Sequence, residues 1–105
     1  MDNEIIKKLI EFRDEREWSK YHTLKNLAIS VNLEASEILE FFQWKDDLEN
    51  DEKEQISEEI ADTLIYLLYM CEKLDVNPNE IILNKIMKNK QRKWEKLEND
   101  ERCNN

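Results

Sequence analysis

The sequence predicts an all-α protein, and three features of the chain support this prediction. Its 105 residues include no Gly and one Pro, whereas β-rich domains need residues with positive φ in their tight turns. Charged residues make up 39% of the chain, which leaves few interior positions unless helices share their apolar faces. Four segments repeat apolar residues at helical spacing. We therefore expect a four-helix bundle in one domain of residues 1–97, followed by a polar tail of residues 98–105.

The first two predicted helices occupy the N-terminal half of the chain. The first runs from about Asn3 to Trp18. Thr23 is the predicted N-cap of the second helix, because a Thr hydroxyl accepts a hydrogen bond from a free N–H group of the first turn. This helix is expected to reach about Asp46. Its apolar residues lie three or four positions apart: Leu27, Val31, Ala35, Ile38 and Phe42.

The charged segment KDDLENDEKEQ connects this half to the remaining two helices. The third helix is predicted from about Glu52 to Leu74. Asn77 and Pro78 then mark a helix start, since Asn is a good N-cap and Pro is favoured at the first helical position. Glu80 completes a capping-box pattern, and the fourth helix should continue to about Leu97.

The net charge and the cysteine content indicate which binding partners and which cellular location to expect for the protein. A formal net charge of −9 repels nucleic acid polymers and anionic membranes, because binding to polyanions depends on Lys and Arg. The lack of Gly excludes Gly-rich phosphate loops. Cys71 and Cys103 do not form a disulfide framework, and no segment has the pattern of a signal peptide or a membrane span. We expect a cytoplasmic protein that would bind phosphates through metal ions and cationic side chains.

Two pairs of carboxylates on the middle helices are the strongest candidate site. Glu34 and Glu37, and likewise Glu59 and Asp62, are three residues apart and so share one side of their helix. Four such carboxylates on facing helices would suit Mg²⁺ or Mn²⁺. On a helical wheel each acid falls among apolar or aromatic residues, as Glu37 does between Phe41 and Trp44. A charge there is costly unless a cation neutralises it.

A simpler interpretation of the same acids also exists. The chain has 25 acidic residues, and Glu-x-x-Glu is frequent by chance on acidic helices. Either pair alone would then be a solvated surface. The apolar neighbours of all four acids favour the metal site over this alternative.

Five segments together resemble a known family. In chain order they are FRDEREW, HTLKNLA, LEFFQW, EEIADTLIYL and NKIMKNKQR. With the paired acids, they are similar to the MazG-like all-α nucleoside triphosphate pyrophosphatases, and in particular to the dCTP pyrophosphatase branch. The resemblance covers nearly the whole chain apart from the tail.

The resemblance implies an activity and a cofactor. It implies that Mg²⁺ binds Glu34, Glu37, Glu59 and Asp62, with Mn²⁺ as a possible substitute. It also implies hydrolysis of dCTP, or a modified dCTP, between the α- and β-phosphates to give the monophosphate and pyrophosphate, and thus sanitation of the nucleotide pool. One carboxylate, Glu34 or Glu37, is expected to activate the attacking water, and the sequence leaves open which one. The family further implies a homodimer or homotetramer.

The fourth predicted helix carries candidate phosphate-binding residues. Lys85, Asn89 and Arg92 lie on one stripe of that helix. The simpler interpretation is a solvated face that suits the C-terminal helix dipole. The family uses Lys and Asn here for phosphate, which favours a functional role for Lys85 and Asn89. The family often has Asp where this chain has Met87, so contacts at this end are expected to differ.

Four further residues are candidates for contacts with the nucleotide. His22 and Asn26 lie in HTLKN, where the alternative is a cap or surface role. Trp44 and Tyr66 would be core residues by periodicity alone, but their positions beside the acids predict walls of a base pocket. Trp18 is a weaker candidate of the same kind.

The sequence leaves two alternative functions open. One is a pyrophosphatase of the same superfamily that acts on another nucleotide, such as dUTP or phosphoribosyl-ATP. The other is a non-catalytic acidic helical interaction protein, in which the carboxylates would be surface groups and Mg²⁺ would not bind.

Overall fold

The all-α prediction is confirmed by a computed structural model that describes residues 3–99, with side chains as far as residue 92. Within this range there are four α-helices, a short 3-10 helix and no strand. The helices are α1 (Asn3–Glu15), α2 (Leu24–Glu40), α3 (Lys53–Leu74) and α4 (Pro78–Asn99), and the 3-10 helix spans Trp18–Tyr21. Most of the predicted tail, including Cys103, lies outside the described residues.

The starts of α2 and α4 follow the predicted capping residues. Thr23 Oγ1 accepts a hydrogen bond of 3.0 Å from the N–H of Asn26. Asn77 Oδ1 accepts from the N–H groups of Asn79 at 2.8 Å and Glu80 at 3.2 Å. These bonds satisfy donors that a helix leaves unpaired at its first turn.

The first helix ends earlier than the sequence predicts. α1 ends at Glu15 instead of Trp18. Glu17 adopts the left-handed conformation, with φ of 56° and ψ of 32°, which a right-handed helix does not accommodate. Trp18 therefore belongs to the following 3-10 helix.

The second helix also ends earlier than predicted, at Glu40 instead of Asp46. The N–H groups of residues 41–43 bond to carbonyls three residues back, which closes tight turns in place of another α-helical turn. Trp44 consequently lies in the connection to α3. Its predicted helical-wheel position beside Glu37 was wrong.

The third helix begins one residue after the predicted Glu52 and ends at Leu74, as predicted. Asp75 then takes the left-handed conformation, with φ of 55°, and stops the helix. The chain divides into two compact units, Met1–Asp75 and Val76–Asn105. The first contains α1 to α3 and the second contains α4.

The core of the first unit lies where α2 packs along α3. Its most buried apolar side chains are Leu27 from α2 and Ile56, Leu68 and Tyr69 from α3. Tyr69 also joins α1 to α3, because its hydroxyl donates a 2.8 Å hydrogen bond to the carbonyl of Leu9. This core is small, as the high proportion of charged residues requires.

A buried arginine provides the second link between α1 and α3. Arg13 is buried and forms ion pairs with Glu72 of α3 and with Asp14. Burial alone lowers the pKa of this guanidinium, but hydrogen bonds to Glu72 and Asp14 outweigh it and raise the pKa above its ordinary value. A buried guanidinium is tolerated here because both carboxylates accept hydrogen bonds from its N–H groups.

The described part of the second unit is mainly α4, which carries exposed apolar residues. Ile82, Leu83 and Met87 of α4 each have half or more of their surface exposed. Among the described residues, no helix combines the length and the apolar character that crossing a bilayer requires.

The Tyr69 hydroxyl should stabilise the fold measurably. Tyr69→Phe removes the hydroxyl donor from the Leu9 carbonyl, and we expect the free energy of unfolding to fall by about 1 kcal/mol. Chemical denaturation followed by circular dichroism measures this. Tyr21→Phe is the matched control, because Tyr21 is 62% exposed. Equal stability of the two variants would show that the hydrogen bond does not hold α1 in place.

Candidate metal centre

Three of the four predicted metal ligands lie together between α2 and α3. Glu34 of α2 and Glu59 and Asp62 of α3 each offer a carboxylate oxygen, and these oxygens lie within 4.8 Å of one another. The turn spacing within each helix and the packing of the two helices produce this arrangement. We refer to these three residues as the carboxylate cluster.

Two oxygens of the carboxylate cluster lack the partners that buried polar atoms need. The Oε2 atoms of Glu34 and Glu59 are shielded from solvent and have no hydrogen-bond partner within residues 3–99. An unpartnered buried carboxylate is costly. An all-oxygen set with converging, unsatisfied lone pairs fits a hard divalent cation such as Mg²⁺. The residues present therefore suit the metal that the sequence predicts.

Glu37, the fourth predicted ligand, is not part of this group of three but affects the titration of Glu59. A side-chain hydrogen-bonding interaction with Glu37 is the main reason that the pKa of Glu59 rises from 4.5 to about 7, with burial and the charges of Glu37, Glu34 and Asp62 adding to it. The pKa of Glu34 is also raised, first by burial and then by its contact with Glu37. Without a cation, the acids reduce their mutual repulsion by keeping a proton.

An open cavity of about 590 Å³ adjoins the cluster through Glu37 and Glu59. Trp44, which is 89% exposed, and Phe41 provide its apolar surface. Its lining residues come from the end of α2, the connecting segment and the start of α3: Glu37, Glu40, Phe41, Trp44, Lys45, Glu52 and Glu59. The volume lies within the range of small-molecule sites.

Several of these lining residues were not among the sequence candidates, and Lys45 is the most informative of them. Its ammonium group is bound by Glu52 and lies 3.7 Å from Glu49. Glu52 also accepts a 2.9 Å hydrogen bond from the N–H of Glu49. One feature of the sequence distinguishes this residue, since Lys45 is the only Lys or Arg between Lys25 and Lys53.

His22 lies in an aromatic cluster of the first unit. Its ring centroid is 4.9 Å from that of Tyr69 and 6.5 Å from that of Trp18. Burial, followed by the charges of Arg13 and Lys73, lowers the pKa of His22. His22 does not line the cavity described above, so its contact with a nucleotide stays a prediction.

Asn26 has a clear local role. Its side-chain amide donates a 3.0 Å hydrogen bond to the carbonyl of Tyr21, which fixes the turn before α2. Tyr66 is half-buried and follows Asp62 by one turn of α3. The proposed contacts of Asn26 and Tyr66 with substrate stay predictions.

The predicted phosphate-binding stripe belongs to the second unit. Lys85, Asn89 and Arg92 are exposed on α4, and Met87 is 69% exposed. The i, i+4, i+7 spacing places the three stripe residues on one face of a continuous helix. Their role in phosphate binding stays a prediction.

Comparisons with known proteins agree on one family. A model of the MazG-like family matches residues 29–104. Mouse dCTP pyrophosphatase 1 is 34% identical over 89 residues, which cover 78% of this chain and 52% of that protein. The human protein of the same name has the same identity and coverage. The chain thus spans about half the length of these curated relatives.

A solved structure shows the same fold. A pyrophosphatase from Archaeoglobus fulgidus DSM 4304 superimposes with a TM-score of 0.74 and is 44% identical. The match covers 86% of this chain and 89% of that one.

The raised pKa of Glu59 predicts how the metal-free protein responds to pH. Between its ordinary pKa of 4.5 and its folded value of about 7, Glu59 binds a proton more tightly in the native state than in the unfolded chain. Raising the pH through this window therefore favours unfolding. The melting temperature in the presence of a chelator should fall from pH 5 to pH 7.

Glu59→Gln provides the comparison for this measurement, because a neutral amide cannot titrate. Its melting temperature should depend less on pH across the same window, and thermal scans by circular dichroism give both curves. Glu58→Gln is the control at an exposed neighbouring position. Identical pH profiles for wild type and Glu59→Gln would show that Glu59 does not carry the shifted proton.

Proposed function

This chain belongs to the MazG-like family, and from that membership we propose that it is a Mg²⁺-dependent nucleoside triphosphate pyrophosphatase. The carboxylate cluster is the observation that carries the proposal. It places three acidic ligands, two of them with buried unpartnered oxygens, beside an open cavity. The proposed reaction gives a nucleoside monophosphate and pyrophosphate.

Glu34, Glu59 and Asp62 would hold the metal ion, with Glu37 completing the set. When bound, Mg²⁺ supplies neutralisation of phosphate charge and lowers the pKa of a water molecule. Such neutralisation is needed because the chain itself carries a net charge of −9 and a triphosphate is a polyanion.

Glu37 is the better placed of the two predicted catalytic carboxylates. It is exposed and lines the cavity, whereas Glu34 is half-buried beside Glu59. A general base must reach the proton that it removes. We assign to Glu37 the removal of a proton from the attacking water in addition to its place in the metal-binding set, and to Glu34 the holding of the metal alone.

The apolar wall of the cavity suits a nucleobase. The indole of Trp44 is almost fully exposed in the free protein, so that a base can stack on it without displacing another side chain. The names of the relatives favour dCTP, or a modified dCTP, as the substrate. Hydrolysis of dUTP or phosphoribosyl-ATP is the alternative that a substrate panel separates.

We propose that α4 contributes Lys85, Asn89 and Arg92 to the binding of the triphosphate. Two of the three side chains carry positive charge, and Asn89 offers amide donors between them. Exposed donors on one helical face suit the oxygens of a polyphosphate.

The exposed apolar surface favours a homo-oligomer. Ile60, Leu64 and Leu67 share one face of α3 and are each exposed by 41–43%. An apolar stripe of this kind on a small chain is typical of a surface that another subunit covers. We propose a homodimer or homotetramer, and sedimentation velocity would refute it by giving the 12.8 kDa of a single chain.

Product analysis with a Glu37 variant tests the function. The protein with Mg²⁺ should convert dCTP to dCMP and pyrophosphate, identified by ion-exchange chromatography. Glu37→Gln should lower kcat by about a hundredfold or more, because the general base is lost. Glu58→Gln, at an exposed position outside the cavity, should keep wild-type turnover. Absence of hydrolysis across all nucleotides would favour the non-catalytic interaction protein.

The α4 stripe has its own kinetic test. Lys85→Ala should raise KM for the triphosphate more than it changes kcat, because it removes a charge pairing present in the ground state. Increasing ionic strength should reduce the effect. Lys90→Ala is the control, since five residues turn the side chain about 140° around the helix. Unchanged KM in Lys85→Ala would make the stripe a solvated face.

A further inference from the structure

The lining of the cavity is dominated by negative charge. Glu37, Glu40, Glu52 and Glu59 all contribute to it, and Lys45 is the one cation among the described lining residues. A polyphosphate that enters this space meets repulsion from every other charged side chain there. A metal ion bound by the carboxylate cluster would neutralise the negative charge of the acids beside it. It would not account for the presence of a lysine in the cavity lining.

Lys45 is held on that wall by an interaction that can be exchanged. Its ammonium group bonds to Glu52, and its side chain remains one-third exposed. The ammonium has three donors on a flexible four-carbon chain. It can therefore turn towards a new acceptor without first leaving a desolvated site.

Glu52 does not depend on Lys45 for its position. Its Oε1 atom also accepts the N–H of Glu49, and its residue directly precedes α3. If Lys45 moved away, Glu52 would keep this backbone bond and gain access to water. The exchange would thus leave neither partner as an isolated buried charge.

We propose that Lys45 is a substrate-binding residue that exchanges its ion pair with Glu52 for an oxygen of the incoming polyphosphate. The proposal rests on the proposed function in its choice of ligand. In the free protein Glu52 keeps the lysine at the cavity wall; in the complex the more highly charged phosphate replaces Glu52. In a bound nucleotide, Trp44 would then contact the base and Lys45 a phosphate.

A purely structural role for the ion pair makes a different prediction. If Lys45 and Glu52 only fasten the segment between α2 and α3, then removing either partner breaks the same bond and has the same effect. If Lys45 binds phosphate, the two changes have different effects: only the loss of Lys45 weakens phosphate binding. Lys45→Ala removes the phosphate contact, whereas Glu52→Gln removes the negative charge that competes with phosphate for the lysine, and only the longer pairing with Glu49 remains ionic.

The experiment measures binding of tripolyphosphate in the presence of Mg²⁺ by isothermal titration calorimetry, together with KM for dCTP. Lys45→Ala should weaken binding and raise KM by about tenfold, as expected for loss of one charged hydrogen bond. Glu52→Gln should bind as tightly as wild type or more tightly. Lys53→Ala is the control for a nearby exposed lysine outside the cavity lining.

The outcomes separate this proposal from the proposed function. Tripolyphosphate binding that depends on Lys45, in a protein that hydrolyses no nucleotide, would support the Lys45 role and refute the pyrophosphatase. Hydrolysis of dCTP with unchanged KM and affinity in Lys45→Ala would overturn the Lys45 role alone. An equal loss of tripolyphosphate affinity in Lys45→Ala and Glu52→Gln would also overturn the Lys45 role, and would show that the ion pair only holds the segment between α2 and α3. Absence of tripolyphosphate binding by the wild-type protein would likewise overturn the Lys45 role.

Discussion

Repulsion between like charges on two packed helices is the constraint around which the first unit is organised. α2 and α3 share the core of this unit, and the same packing brings Glu34, Glu59 and Asp62 within 4.8 Å of one another. The free energy gained by burying Leu27 and Leu68 is therefore partly offset by carboxylates that oppose each other. A proton retained on Glu59, whose pKa is raised to about 7, relieves this repulsion in the absence of a cation. A divalent cation would relieve the repulsion more completely, and this relief would favour cation binding and stabilise the folded protein.

The end of α2 determines what lies beside these acids. Because the helix stops at Glu40, the chain turns sharply, and Trp44 and Lys45 lie in the connection before α3. An aromatic face and a cation are thereby brought to the cavity that Glu37 and Glu59 enter. At the other end of the unit, Arg13 and Tyr69 attach α1 to α3. The site is thus formed by local chain reversals on a scaffold of packed helices.

Much of the fold followed from local chemistry that acts within a few residues. Thr23 and Asn77 define helix starts because their side chains bond to N–H groups in the next turn. Helix ends were harder to predict, since left-handed Glu17 and the tight turns after Glu40 have no glycine to mark them. The paired acids were apparent because i, i+3 spacing fixes their direction on a helix.

The remainder of the site depends on contacts between segments that are distant in sequence. The role of Arg13 requires Glu72, and the environment of His22 requires Tyr69. Spacing along the chain does not specify either pair. The sequence does not identify Lys45 as a site residue, because a lysine in a charged connection resembles an ordinary solvated residue. Only the cavity shows that it lies among carboxylates.

Direct measurement of metal binding tests the central claim that the carboxylate cluster is a divalent cation site. Electron paramagnetic resonance of Mn²⁺ reports the free ion, whose signal decreases on binding, and Mg²⁺ added afterwards should restore it by competition. We predict one saturable class of site per chain in wild type and Glu58→Gln, with binding strongly weakened in Asp62→Asn. Equal Mn²⁺ binding by wild type and Asp62→Asn would contradict the account.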